Sequence, residues 1–316
     1  MRSRSSLAAM SGLLLMACGA SDGTSHEATD GGSVAEDAGT SAIADASGAT
    51  ALDAAFAVDA SAHDAALADA TSSTNACDHP RPGPDNTGVP KGTTLKASES
   101  ITVMTKGAVI EDLDVRGSIT VLADDVTIRR VRIVSGDYYP IRYFDNDNTG
   151  LVIEDSEIQG TSGDVTSAVA FANYTARRLN VHGSADGLKA DENVVIEDCW
   201  IHDLSNGDGE HNDGVQSTGG KGVTIRHNDI SGASNACVQT GDEGAATEDL
   251  TVDCNWLSGG GYSLNIRGTG ATVPKNTRVT NNVFRQDAAY GPWTIDDPRP
   301  TVSGNRYEDG TAIPYR

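Results

Sequence analysis

Ionisable side chains recur at matched spacings between residues 182 and 217. Asp186-Gly187 is echoed by Asp213-Gly214, and Lys189 follows the first Asp at the distance at which Gln216 follows the second. His182 and His202 each follow an apolar residue, and His211 stands two residues before Asp213. Two carboxyl groups at equivalent positions suit glycoside hydrolysis, in which a separation of about 5–5.5 Å marks the retaining mechanism. A basic side chain such as Lys189, tuned by its setting, suits removal of the proton α to a uronate carboxylate. Arg267 or a His would then stabilise charge or protonate the leaving oxygen. Each feature also has a plain structural reading. Asp-Gly at a strand entrance is turn chemistry, with Asp capping its own backbone and Gly taking a positive φ, and paired His residues are ordinary polar edge residues.

These residues act together only if the chain returns to the same place at regular intervals. One phrase recurs from about residue 108: apolar, x, apolar, x, x, small or Asn, x, apolar. Its second slot falls at Ile110, Ile128, Ile153, Ala176, Ile196, Ile225, Val252, Val279 and Val302. A period of mostly 20–29 residues with period-2 alternation predicts stacked coils of short strands and argues against helical repeats. The third slot forms an Asn column, Asn228, Asn255, Asn282 and Asn305, whose amides can hydrogen-bond from coil to coil. A further short strand lies between successive phrases. This set of features resembles the right-handed parallel β-helix of the pectin-lyase type over residues 77–316, which implies an all-β solenoid of about nine coils. The same fold hosts lyases, hydrolases, epimerases and adhesins, so the resemblance carries no single activity. Residues 77–107 read as a cap on the first coil.

Stacking places equivalent residues about 4.8 Å apart. The outward positions of the extra strand then form a column of Arg142, Ala170, Lys189, Gln216, Gln239 and Asn265. Beside it run Phe144, Ala172, Asp191, Thr218, Gly241 and Arg267. Lys189 or the Asp186/Asp213 pair are the candidate reacting groups, with Gln216, Gln239, Asn265 and Asp191 as substrate-binding groups. The short loop Gly183-Ser184-Ala185 between the longer loops 159–166 and 203–212 predicts a groove with walls. Asn206-Gly207-Asp208-Gly209-Glu210 alternates oxygen ligands as a Ca²⁺ loop does, but Ser217 stands where an EF-hand needs Glu. A looser Ca²⁺ site using Asp208, Glu210 and Asp213 is the only cofactor expected. Three functions follow: a polysaccharide lyase acting on a uronate glycan, favoured slightly; a glycoside hydrolase using Asp186 and Asp213; and a non-catalytic glycan-binding or adhesin module.

The address is read from the first 76 residues. Arg2 and Arg4 precede a short apolar stretch that ends at Leu15-Met16-Ala17-Cys18. That tetrapeptide resembles the lipobox of bacterial lipoproteins, which implies cleavage after residue 17 and lipidation of Cys18. Residue 19 is Gly, so the Asp that retains lipoproteins at the inner membrane is absent, pointing to the outer membrane or cell surface. Residues 19–76 carry 10 acidic residues and no Lys or Arg, the composition of a disordered tether. As a coil it spans roughly 40 Å. The chain of 316 residues has a formal net charge of −22, which excludes general nucleic-acid binding. Its acidity also weighs against an anionic substrate unless a cation screens it. An exported chain permits disulfides. Cys237 and Cys254 lie on successive coils and are the expected pair, while Cys199 sits in an inward slot.

Overall fold

The computed structural model describes residues 76–143, 148–162, 164–205, 211–241 and 245–315. They form a parallel β-solenoid of about nine coils, each coil contributing one strand to each of three sheets. The sheets hold ten, nine and nine strands, and every strand within them pairs in parallel with its counterpart one coil away. The register follows the sequence phrase. The second slots pair in unbroken order from Ile110 and Ile128 to Val279 and Val302 in the third sheet. The fourth slots pair from Val115 and Ile133 through Ile158, Val181, Ile201, Ile230 and Leu257 to Phe284 and Tyr307 in the first sheet. The second sheet adds Ile119, Ile141, Val169, Leu188, Val215, Val238 and Leu264. These three apolar columns meet inside the coils. Each fully buried Ile, Val or Leu contributes about 1.5–3 kcal/mol.

The corner from the third sheet to the first turns on a single left-handed residue. Asp112, Arg130, Asp155, Arg178, Asp198, His227, Cys254 and Asn281 occupy it with φ between 49° and 58°. Such a conformation strains a residue with a Cβ, and the stack around it offsets the strain. One residue on, the Asn column closes as expected. Asn228, Asn255 and Asn282 each donate from Nδ2 to Oδ1 of the next Asn at 3.0 Å, and to a backbone carbonyl at 2.9 Å. Beside the corner the signs of charge alternate along the axis: Glu111, Arg129, Glu154, Arg177, Glu197, Arg226 and Asp253 are register partners. Arg177 and Arg226 both reach Glu197, at 2.5 and 2.6 Å. A slip by one coil would set like charges opposite each other, so the ladder enforces register more than it adds stability.

Two expectations are corrected. The first coil begins at Lys96, which pairs with Leu113, and the chain before it is a strap along several coils instead of an end cap. Cys77 is bonded to Cys254, the His79 carbonyl lies 3.2 Å from His227 Nε2, Arg81 pairs with Asp229 at 2.6 Å, and the Gly88 N–H donates to Arg178 O. The disulfide is therefore Cys77–Cys254, and not Cys237–Cys254. Cys254 occupies the outward corner, whereas Cys237 points into the core from the second sheet. Neighbouring coils brought the two close in sequence order while placing them on opposite sides of the coil. Cys199 and Cys237 are buried free thiols.

Candidate functional site on the outer face of the second sheet

Four adjacent strands of the second sheet carry the site: Asp186–Lys189, Asp213–Ser217, Ala236–Thr240 and Tyr262–Ile266. Their pairing sets Lys189 beside Gln216, Gln216 beside Gln239, and Gln239 beside Asn265, as the outward column predicted. Arg142 and Ala170 continue the column on the other side.

Strict alternation would put Asp186 and Lys189 on opposite faces of their strand. Gly187 prevents this. A Cβ there would lie 2.6 Å from Cγ2 of the core residue Ile201 and would also overlap the Gly214 carbonyl. Gly214 has the same character, since a Cβ on it would lie 2.6 Å from the Cys237 carbonyl and overlap Ile230. Both glycines face inward next to an inward Leu188 or Val215, so the Asp before and the polar residue after project together. Neither glycine has a positive φ. The turn role expected of Asp-Gly is thus replaced by close packing.

Asp186, Lys189, Asp213 and Gln216 form one hydrogen-bonded network. Lys189 Nζ donates to Asp186 Oδ2 at 2.5 Å and to Gln216 Oε1. Gln216 Nε2 donates to Asp213 Oδ2 at 3.2 Å, and the Asp213 N–H donates to Asp186 Oδ1 at 2.8 Å. Three of these outward residues are nonetheless nearly covered: Asp186 is 5 % exposed, Lys189 7 % and Asp213 1 %. Burial, reinforced by the charge of Asp186, pushes the Asp213 carboxyl up to about 7. Asp191, two residues beyond Lys189, accepts from Thr218 N–H at 2.8 Å and Thr218 Oγ1 at 3.2 Å, and burial raises it as well.

Two members escaped the sequence reading. Asn235 Nδ2 donates to Asp213 Oδ1 at 2.9 Å and to Gln239 Oε1 at 3.2 Å. The signal was its slot, equivalent to Asn212 one coil earlier. Tyr139 stands in the field of Asp186 and Asp191 and packs 5.4 Å from Phe171; burial first, then its neighbour Tyr138 and these carboxylates, push it up to about 12. Its loop lies outside the repeat phrase, so spacing gave no sign of it.

Other expected residues fall elsewhere. His182 and His202 stack on each other at 5.3 Å on the first sheet, held by Glu157, Asn180 and Asp203. Trp200 covers His202, and burial lowers its pKa. Among the described residues no hydrogen bond joins either ring to Asp186 or Asp213, because both project before the chain turns into the second sheet. His211 is exposed. Arg267 lies three coils from Lys189, about 14 Å along the axis by strand spacing and two residues further along its strand, and is 3.9 Å from Asp296. Asn265 ends the amide column with a buried Oδ1 that has no hydrogen-bond partner among the described residues. Asp208 and Glu210 of the expected Ca²⁺ set, with half of the wall expected from loop 203–212, lie outside the described residues. Asp213, the third of that set, accepts from an amide on each oxygen, Gln216 Nε2 on Oδ2 and Asn235 Nδ2 on Oδ1. Among the described residues no three His, Cys, Asp or Glu side chains gather closely enough to hold a metal.

Fold and site together define a parallel β-solenoid with a buried carboxyl–lysine–amide network on the outside of one sheet. Compared with known proteins, the chain matches no family model, no curated protein and no solved structure.

Proposed function

We propose that the chain is an exported, lipid-anchored enzyme acting on a polysaccharide, and that the second-sheet network hydrolyses a glycosidic bond. One observation carries this reading: two carboxyl groups in equivalent slots of adjacent coils sit in unlike settings. Asp186 is ion-paired with Lys189, while Asp213 is buried among amides and pushed up to about 7. Carboxyls whose environments drive their protonation apart supply the acid and the anion of a glycosidase. Asp213 gives its proton to the leaving oxygen as the glycosidic C–O bond breaks. Asp186 attacks the anomeric carbon, and water, deprotonated by Asp213, then cleaves the resulting ester. Lys189 and Gln216 are positioning residues. Cys18 as the anchor and the outer membrane or cell surface as the address belong to the same reading.

β-Elimination on a uronate is the second reading. It is favoured by the aligned amides of Gln216, Gln239 and Asn265, which suit a carboxylate. Against it, Lys189 Nζ is held between two acceptors, Asp186 Oδ2 and Gln216 Oε1, and the side chain is nearly covered. The full-length chain incubated with neutral and uronate polysaccharides, with and without Ca²⁺, separates the readings. Reducing ends that disappear in Asp186→Asn and Asp213→Asn support hydrolysis. An unsaturated, ultraviolet-absorbing product lost in Lys189→Ala supports elimination. Turnover unchanged in all three variants moves the centre off this face, and binding without turnover makes the chain a glycan-binding module.

A further inference from the structure

A cavity of about 520 Å³ opens beside the network, lined by Tyr143, Asn148, Phe171, Ala172, Asn173, Asp191 and Thr218. The volume falls within the range of small-ligand pockets. Asp191 joins it to the reacting face: it lies two residues beyond Lys189 on the same side of the chain, about 7 Å along the strand. Thr218 donates twice to Asp191, both times to Oδ1; among the described residues no hydrogen bond ends on Oδ2, the oxygen for a ligand hydroxyl.

The rest of the lining suits one chemistry. Phe171, half-buried at the cavity, gives it aromatic surface, which packs against the C–H face of a sugar ring, while its register partner Tyr143 on the neighbouring coil is buried in the core beneath. Asn193 Nδ2 donates to Asn173 Oδ1 at 3.1 Å, leaving the Asn173 NH₂ as a donor; Asn148 adds a second amide. Among the described residues, no Lys, Arg or His lines the cavity. Asp191 is the one carboxyl among the described lining residues, and a carboxyl repels an anionic ligand. Apolar ring surface, amide donors, one carboxyl acceptor and no cation describe a site for an uncharged polyhydroxylated ring.

We propose that this cavity is a subsite for a neutral sugar unit of the glycan cleaved at Asp186 and Asp213, so that the substrate is a neutral polysaccharide and not a polyuronate; the inference rests on the hydrolase reading for its place in the reaction, but not for binding. Calorimetric titration of the full-length protein with neutral oligosaccharides (gluco-, manno-, xylo- and galacto-oligomers) and with oligogalacturonate tests it. Asp191→Asn keeps the acceptor that Thr218 needs and removes the charge, and Phe171→Leu removes the ring while keeping an apolar side chain. The expected result is binding of a neutral oligomer weakened at least tenfold in each variant, with thermal unfolding within a few degrees of the parent. Where turnover is present, KM rises about tenfold and kcat stays within about twofold. Neutral-oligomer binding that depends on Asp191 and Phe171 without hydrolysis keeps the subsite and discards the catalytic reading. Equal affinity of both variants and the parent, tighter binding of oligogalacturonate, or no binding of any neutral oligomer overturns the proposal.

Discussion

Replacing Asp213 with Asn tests the electrostatics at the centre of the site. The Asp213 carboxyl rises from an ordinary 3.8 to about 7 in the folded chain, through burial and then the charge of Asp186. Between these values the folded state holds a proton that the unfolded state has released. The stabilisation that this proton brings is complete below about pH 4 and fades as pH rises through 7. From pH 5 to pH 6 the folded chain carries nearly one excess proton, worth about 1.4 kcal/mol per pH unit, and the excess falls to about half by pH 7. Stability should thus fall by about 2–3 kcal/mol between pH 5 and pH 8 on account of this residue alone. Asn cannot ionise, so Asp213→Asn should lose that much less over the same interval. It also leaves either Asn235 or Gln216 without an acceptor, at a cost of about 1–3 kcal/mol. That cost does not depend on pH and cancels when slopes are compared. Urea unfolding of parent and variant at pH 5, 6, 7 and 8 supplies both slopes. Parallel slopes, or a steeper fall in the variant, would refute the assignment of a buried, proton-holding Asp213, and with it the general acid.

Two further outcomes concern the scaffold. Asn255→Ala removes bonds to Asn282 and to the Ile225 carbonyl and leaves the Asn228 amide short of its acceptor; equilibrium unfolding should show a loss of about 1–3 kcal/mol with activity preserved. Cys77→Ser should destabilise by about 2–5 kcal/mol, since the bond spans 177 residues of sequence. Thiol labelling of the native parent should modify neither Cys199 nor Cys237, because both are buried and burial pushes both up to about 12; a Cys237–Cys254 peptide in a non-reducing digest would contradict the strap.

The solenoid was legible because a β-coil writes its geometry into the chain. Inward positions must be apolar in every coil, so Ile110 to Val302 and Val115 to Tyr307 announce their own register. The Asn column was legible for the same reason, since a buried amide in a corner is satisfied only by its equivalents above and below. The outward column from Lys189 to Asn265 followed from that register by counting. What counting misses is direction. Gly187 turns two consecutive residues inward and so sets Asp186 on the same face as Lys189, which depends on how Ile201 and the next coil fill the space. Cys77 reaches Cys254 only because the strap runs back along the stack, a path with no local signature. The His182–His202 pair has the repeat of a site, yet the chain bends after it and leaves it on another sheet. The raised Asp213 is likewise a product of tertiary packing: an Asp-Gly in sequence is indifferent to solvent, and only the closure of Gln216, Asn235 and Asp186 around it excludes water and sets one carboxyl against another.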